Sequence, residues 1–325
     1  DLGGRGTLES RRKTAAWIGG EFSRLGIKPP PGMQTHFTKF SIDGGKFQGT
    51  NVLGWIPARA QEGEAAEREE VGEYIVLSAN FDMLVPSDGS ELPGANYNAS
   101  GIAALIELGR SLRAVSAGAA VRRRAVLLLA TDLARPKLLG AQAFLRAPPV
   151  PIKSCAAFVC MEMLGRSLGD LIPGLLFAMG FENSRALEDL LRQEKPPEDG
   201  RLSILTTFFH IVHADYHAFA HAKVPYLYLS GGESVDFGGP GDTAAGLDYG
   251  QFENRVKWIR EVVEKLLVSE RRPVWRETGD PRVSDIREIR DLILSVKGRL
   301  DQVKLPPMPA MMLRNLIANL DKIVK

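Results

Sequence analysis

The chain has 325 residues, 44% hydrophobic and 25% charged, which is the composition of a folded globular protein and not of a disordered one. That length fits one large α/β domain, or such a domain with an appendage. Forty-one Lys and Arg stand against 39 Asp and Glu, a net charge of +2 that gives no electrostatic case for nucleic-acid binding. The longest apolar runs fall far short of the ~20 residues a membrane span requires.

In chain order, residues 11–25 carry apolar side chains at helical spacing (Ala15, Ile18, Phe22, Leu25) and stop at Gly26. Strand-like stretches follow at 33–42 and 50–57, then an acidic, Ala-rich insert at 60–73 that reads as a solvated loop or short exposed helix. A buried strand is expected at 74–79, a helix at 101–112 and another buried strand at 125–131. The basic run Arg122, Arg123, Arg124 before that strand reads as a charged strand edge. Helices at 141–146, 184–193 and 249–268 alternate with strands at 156–161 and 225–229. This alternation predicts an α/β fold, a mixed, mostly parallel sheet flanked by helices, over residues 1–270. Such sheets place their sites at the carboxyl ends of the strands, here just after Ala79, Thr131 and Met161.

Two cysteines cannot build a disulfide framework or a zinc site by themselves. Cys155 and Cys160 are expected as small core residues, and their odd offset predicts opposite faces of one strand. The first residues show no charged start followed by an apolar stretch, so no signal peptide is read in them. A chain trimmed of its leader would look the same, and the expectation is a soluble protein of unassigned compartment. Residues 271–325 read as a helical C-terminal extension. Ile286, Ile289, Ile293, Val296, Leu300 and Val303 recur at steps of three and four, and prolines at 306, 307 and 309 end the stripe. The stripe packs on its own domain or docks a protein partner; self-association through it gives a homo-oligomer.

One set of motifs carries a resemblance. Residues 74–82, ending in Asn80-Phe81-Asp82, precede Pro93-Gly94-Ala95-Asn96-Tyr97-Asn98-Ala99-Ser100-Gly101 and a helix. Thr50-Asn51-Val52, Leu138-Leu139-Gly140-Ala141 with Phe144, Met161 to Arg166, Asp215 with Phe219, Val224-Pro225, and Pro240, Asp242 and Thr243 follow in the matching order. Together these pieces, over about residues 5–268, resemble the co-catalytic zinc aminopeptidase superfamily, which includes glutaminyl cyclases and ectodomains of transferrin-receptor and nicastrin/nicalin type. The resemblance implies the fold above and a dinuclear zinc site built from His-x-Asp, a bridging Asp, a Glu-Glu pair, an Asp or Glu, and a distal His.

Residue by residue, the first His position holds Asn80 and its orienting acid is Asp82. The bridging Asp position holds Tyr97, the Glu-Glu pair falls on Ala134 and Arg135, the Asp/Glu position holds Glu162, and the distal His position falls on Gly238 or Gly239. A guanidinium is always charged and cannot coordinate, and a phenol of pKa ~10 is a poor ligand. The resemblance therefore implies a degenerate site with no catalytic residue, no metal ligand set and no cofactor, in which an Arg135–Glu162 ion pair replaces the metal. Asp82 is then expected to bind backbone amides.

Four histidines cluster at 210–221, and His213, His217 and His221 form one helical stripe that suggests an alternative metal or acid/base site, or helix-surface histidines. The expectation for function is a non-catalytic homologue of zinc-dependent aminopeptidases, not an enzyme, acting in protein interaction or assembly. One alternative is a zinc-dependent peptidase or hydrolase with a rebuilt metal site on Glu162 and these histidines. A second is a binder of amino acids or short peptides without turnover.

Overall fold

The structure is a computed structural model that describes residues 5–58, 72–83, 92–114, 124–135, 137–207, 214–277 and 283–296. Eight strands form one sheet in the order β1-β2-β4-β3-β5-β8-β6-β7. They are β1 (Phe37–Ile42), β2 (Phe47–Ile56), β3 (Tyr74–Asn80), β4 (Ala125–Thr131), β5 (Cys155–Glu162), β6 (Leu175–Met179), β7 (Arg201–Leu205) and β8 (Tyr226–Ser230). β3 pairs in parallel with β4 and β5, β5 with β8, and β6 with β7; the pairs β1/β2, β2/β4 and β6/β8 are antiparallel. The sheet is mixed and mostly parallel, as the alternation of segments predicts. β3, β4 and β5 are buried at every position, because helices cover both faces, and this is why they read as unbroken apolar runs.

On one face α1 (Leu8–Arg24), α2 (Ser100–Ala114) and α6 (Tyr249–Val268) pack Ile18, Phe22, Leu105, Leu108, Ile259 and Val263 against the sheet. The other face meets α3 (Leu139–Arg146) and α5 (Tyr216–His221), with Phe158 stacked on Phe219 at 3.7 Å between centroids. α1 starts at Thr7, whose hydroxyl accepts the Ser10 amide at 3.1 Å, and the chain leaves it through Gly26 at φ 69°, a left-handed conformation suited to glycine. α4 (Arg185–Leu191) leads towards β7.

Three expectations need correction or completion. Cys155 and Cys160 lie in the same core layer and not on opposite faces. Tyr74 pairs with Cys155 but Ile75 with Ala157, so an irregularity at the start of β5 adds one residue and resets the alternation. Arg124 is no exposed edge: it is buried and donates to Glu73, Leu266 O and Ser269 O at 2.6–2.8 Å. β6 and β7 are strands that apolar patterning did not single out, and β6 turns the sheet antiparallel next to β8.

The tail forms α7 (Val283–Val296), which lies against β7. Leu292 and Val296 are buried, Ile289 packs on the core, Ile286 and Ile293 are half-buried, and the Asp285 carboxylate takes the Thr206 hydroxyl at 2.7 Å. The described part of the stripe is thus engaged with its own sheet, while Leu300 and Val303 lie outside the described residues. Among the described residues no helix is long and apolar enough to cross a membrane.

Candidate active site

β3 and β4 run side by side to a common end, with Asn80 beside Thr131, and β5 ends next to them at Glu162. The chain segments that leave these ends converge on the turn Ala95–Ala99 in front of α2. Asn98 is the hub. Its Nδ2 donates to Asn80 O, Asn80 Oδ1 and Met161 O at 3.0–3.2 Å, and its Oδ1 accepts the amides of Gly101 and Met163 at 3.2 and 3.1 Å. Asn96 Oδ1 accepts the Gly165 amide at 2.9 Å, and Ser100 Oγ bridges Asn96 O and the Leu164 amide. From the loop after β8, the buried Asp242 carboxylate accepts the amides of Asn96 at 2.7 Å and Tyr97 at 3.0 Å. These contacts fix the turn to both strand ends and to the far loop, and the Tyr97 ring is buried against Met83, Leu92, Met163 and Phe237.

Tyr97, Asn80, Asp82 and Arg135 meet there. The Asp82 carboxylate accepts the backbone amides of Ala134 at 3.0 Å and Arg135 at 3.3 Å, and the Asn80 amide donates to it at 3.3 Å. Arg135 Nε donates to the Tyr97 hydroxyl at 3.0 Å. The guanidinium lies 5.3 Å from the Tyr97 ring and 5.8 Å from the ring of Phe237, which itself meets Tyr97 edge-on at 5.1 Å. Glu162 is buried beside them and accepts the Tyr228 hydroxyl at 3.1 Å on Oε2.

No Arg135–Glu162 ion pair forms, contrary to expectation. The two aromatic faces and the Tyr97 hydroxyl hold the guanidinium, while Glu162 takes Tyr228. Burial, reinforced by the charge of Asp215, pushes the Glu162 carboxyl up to about 8, with Arg135 pulling it down. Asp215 accepts the Thr131 hydroxyl, and burial pushes it up to about 7. Burial also raises Asp82, against the pull of the Ala134 and Arg135 amides, and holds the Tyr97 phenol well above its ordinary value.

These residues do not fit a two-zinc centre. Arg135 brings a positive charge and no lone pair to the place of a ligand, Ala134 brings a methyl group, and Tyr97 keeps its proton. Gly238, at φ 67°, has no neighbour within 4 Å of where a side chain would begin. Among the described residues no three of His, Cys, Asp and Glu gather to hold a metal ion. His217 and His221 lie on α5, but with Lys137, Gln142 and Arg146 they line an outer pocket that Glu162 does not reach. His217 sets Nδ1 against Ala214 O at 3.2 Å. His210 and His213 lie outside the described residues.

Two participants have weak signals in the sequence. Phe237 sits in a glycine-rich loop without periodicity, and nothing local marks it. Tyr228 sits on β8 two residues after Tyr226, a strand-period hint that both face one side.

The sheet order, with buried polar residues gathered at the carboxyl ends of its central strands, defines an aminopeptidase-like α/β fold. The LapA aminopeptidase of Legionella pneumophila superposes with a TM-score of 0.60 at 15% identity, over 82% of this chain and 68% of that one. The glutaminyl cyclase of Bacteroides thetaiotaomicron gives 0.60 at 15%, over 83% and 94%. A Zn-dependent exopeptidase from Parabacteroides distasonis gives 0.59 at 16%, over 81% and 93%. A comparison with curated proteins found no match. The sequence profile of peptidase family M28 matches residues 62–263, more than half of the chain, and the chain belongs to that family. M28 is a family of enzymes, normally zinc-dependent, so the expectation that this chain is not an enzyme is overturned by the match.

Proposed function

We propose that the protein is a hydrolase of the M28 peptidase type that cleaves amide bonds in the cleft at the carboxyl ends of β3, β4 and β5, with a rebuilt set of reacting groups. The observation that carries this reading is the burial together of three mutually interacting carboxyl groups, Asp82, Glu162 and Asp215, with the Arg135 guanidinium acting on Glu162, where the family places its reaction centre. Buried acids destabilise a fold unless neighbours satisfy them, and clusters of them are typical of reacting sites. Asp82 is engaged with backbone amides and holds the wall of the cleft. Glu162 uses Oε2 for Tyr228, and its Oε1 makes no hydrogen bond among the described residues. Amide hydrolysis needs a group that takes a proton from water and gives one to the leaving nitrogen, and a carboxyl group held near neutrality suits that exchange.

The donor set gives no basis for routing a step through zinc. The test is hydrolysis of a panel of dipeptides, aminoacyl amides and N-acyl amino acids by the purified chain, with and without a chelator, beside the Glu162→Gln variant. Turnover by the wild type that survives chelation and falls at least ~100-fold in the variant is expected. Absence of turnover across the panel, or full activity in the variant, overturns the reading. Activity that appears only with added zinc puts the rebuilt metal site in its place.

A further inference from the structure

Arg135 is unlike the other buried or half-buried arginines of the described chain. Arg11 pairs with Asp132, Arg124 with Glu73, Arg166 with Asp170 and Asp236, and Arg276 with Glu188. Arg255 has no carboxylate but spends its guanidinium on Leu164 O, Arg166 O, Ser167 Oγ and Leu175 O. Arg5 likewise donates to Phe81 O, Pro93 O and Gly94 O. Among the described residues a single one of the five N–H groups of Arg135 is used, by the Tyr97 hydroxyl; Nη2 is buried and meets no acceptor. No carboxylate lies within 4.0 Å of it among the described residues.

The nearby acids do not supply the missing partner. Asp82 accepts two backbone amides and the Asn80 amide. Glu162 accepts Tyr228, and Glu233 acts on Arg135 through space only. Meanwhile the guanidinium is held by two rings and one hydroxyl, so its fork is oriented before anything binds. A half-buried planar cation with spare N–H groups and no carboxylate in contact among the described residues matches a carboxylate that arrives with the ligand, because carboxylate and guanidinium form two parallel hydrogen bonds.

We propose that Arg135 docks a free carboxylate of the substrate, so that the cleft takes peptides or N-acyl amino acids with an unblocked carboxyl terminus. The assignment rests on the amide-hydrolase reading of this cleft and names its substrate class. Tyr97 and Phe237 are positioning residues in it, since they act by holding the guanidinium.

The experiment measures binding apart from turnover. Calorimetric titration compares N-acetyl-Ala-Ala with its carboxamide on wild type, Arg135→Met and Arg135→Lys, with melting curves to show that each variant is folded. The free acid is expected to bind the wild type at least ~10-fold more tightly than the amide, Arg135→Met to bind the two alike, and Arg135→Lys to keep part of the preference as a point charge. Equal binding of acid and amide by the wild type, or a preference that survives in Arg135→Met, overturns the assignment. Inorganic phosphate that competes as strongly as the acid overturns the choice of carboxylate. A preserved acid preference without hydrolysis of any compound sinks the hydrolase reading alone; hydrolysis without any acid preference sinks the Arg135 assignment alone.

Discussion

Replacing Glu162 by Gln should leave stability in acid nearly unchanged and raise it progressively towards pH 8. The folded carboxyl titrates near 8 because it is buried beside Asp215, whereas an unfolded glutamate titrates near ~4.3. Between those values the folded chain holds a proton that the unfolded chain gives up, so stability falls as pH rises, by about 1.4 kcal/mol per pH unit from this group. The contribution is fully present below the unfolded value and is lost as pH climbs through the folded one. From pH 5 to pH 8 the loss comes to about 4 kcal/mol. Glutamine has no proton to lose and keeps a carbonyl oxygen for the Tyr228 hydroxyl. Asp215 and Asp132, both pushed up to about 7, lose stability in the same direction, but they remain in both proteins and largely cancel in the difference. Urea midpoints at pH 5, 6.5 and 8, with the slope checked for constancy, give the comparison. Parallel curves for the two proteins across that range would refute the assignment of a buried, proton-holding Glu162.

Arg255→Met should cost more than ~3 kcal/mol, because it strips hydrogen bonds from three carbonyls, two of them buried, and a hydroxyl that tie the segment after β5 to α6; denaturation within about 1 kcal/mol of wild type would contradict this. Asp242→Asn should cost ~1.5–3 kcal/mol, since one amide oxygen cannot serve both the Asn96 and Tyr97 amides with a full charge; an unchanged melting curve would show the tether to be dispensable. Gly140→Ala should destabilise by ~1–3 kcal/mol despite the better helix propensity of alanine, because the new methyl overlaps Asp132 O and crowds Asn51 Oδ1; a stabilised variant would mean that this corner yields easily.

Much of the architecture is legible along the chain because burial on both faces writes itself as continuous apolar sequence. β3, β4 and β5 are recognisable for that reason, and α6 for its helical period. The strand ends then locate the cleft, and Asn80, Asp82, Tyr97, Arg135 and Glu162 do converge there. What sequence reasoning misses are choices among partners in three dimensions. Opposite charge suggests Arg135 with Glu162, but folded geometry puts two rings and a hydroxyl nearer to the guanidinium. A period-two argument separates Cys155 from Cys160, but one irregular residue cancels it. Arg124 reads as surface because only the fold reveals Leu266 O, Ser269 O and Glu73 as its acceptors. β7 is only partly buried and carries no continuous apolar run, and β6 lies in an apolar stretch interrupted by Pro173 and Gly174, so neither stands out as a strand.

The hub at Asn98 has a consequence for how ligands enter and leave. One side chain joins β3, β5 and the start of α2, so these three elements form a single framework and shift together or not at all. Beside it runs the segment from Val235 to Gly241, which reaches the framework through Asp242 and through the Phe237 ring on Tyr97. Val235 is 60% exposed, and Gly238 stands in open space. Association and release rates at the proposed site should therefore respond to substitutions in this segment, whereas changes in the framework would disturb the strand ends themselves.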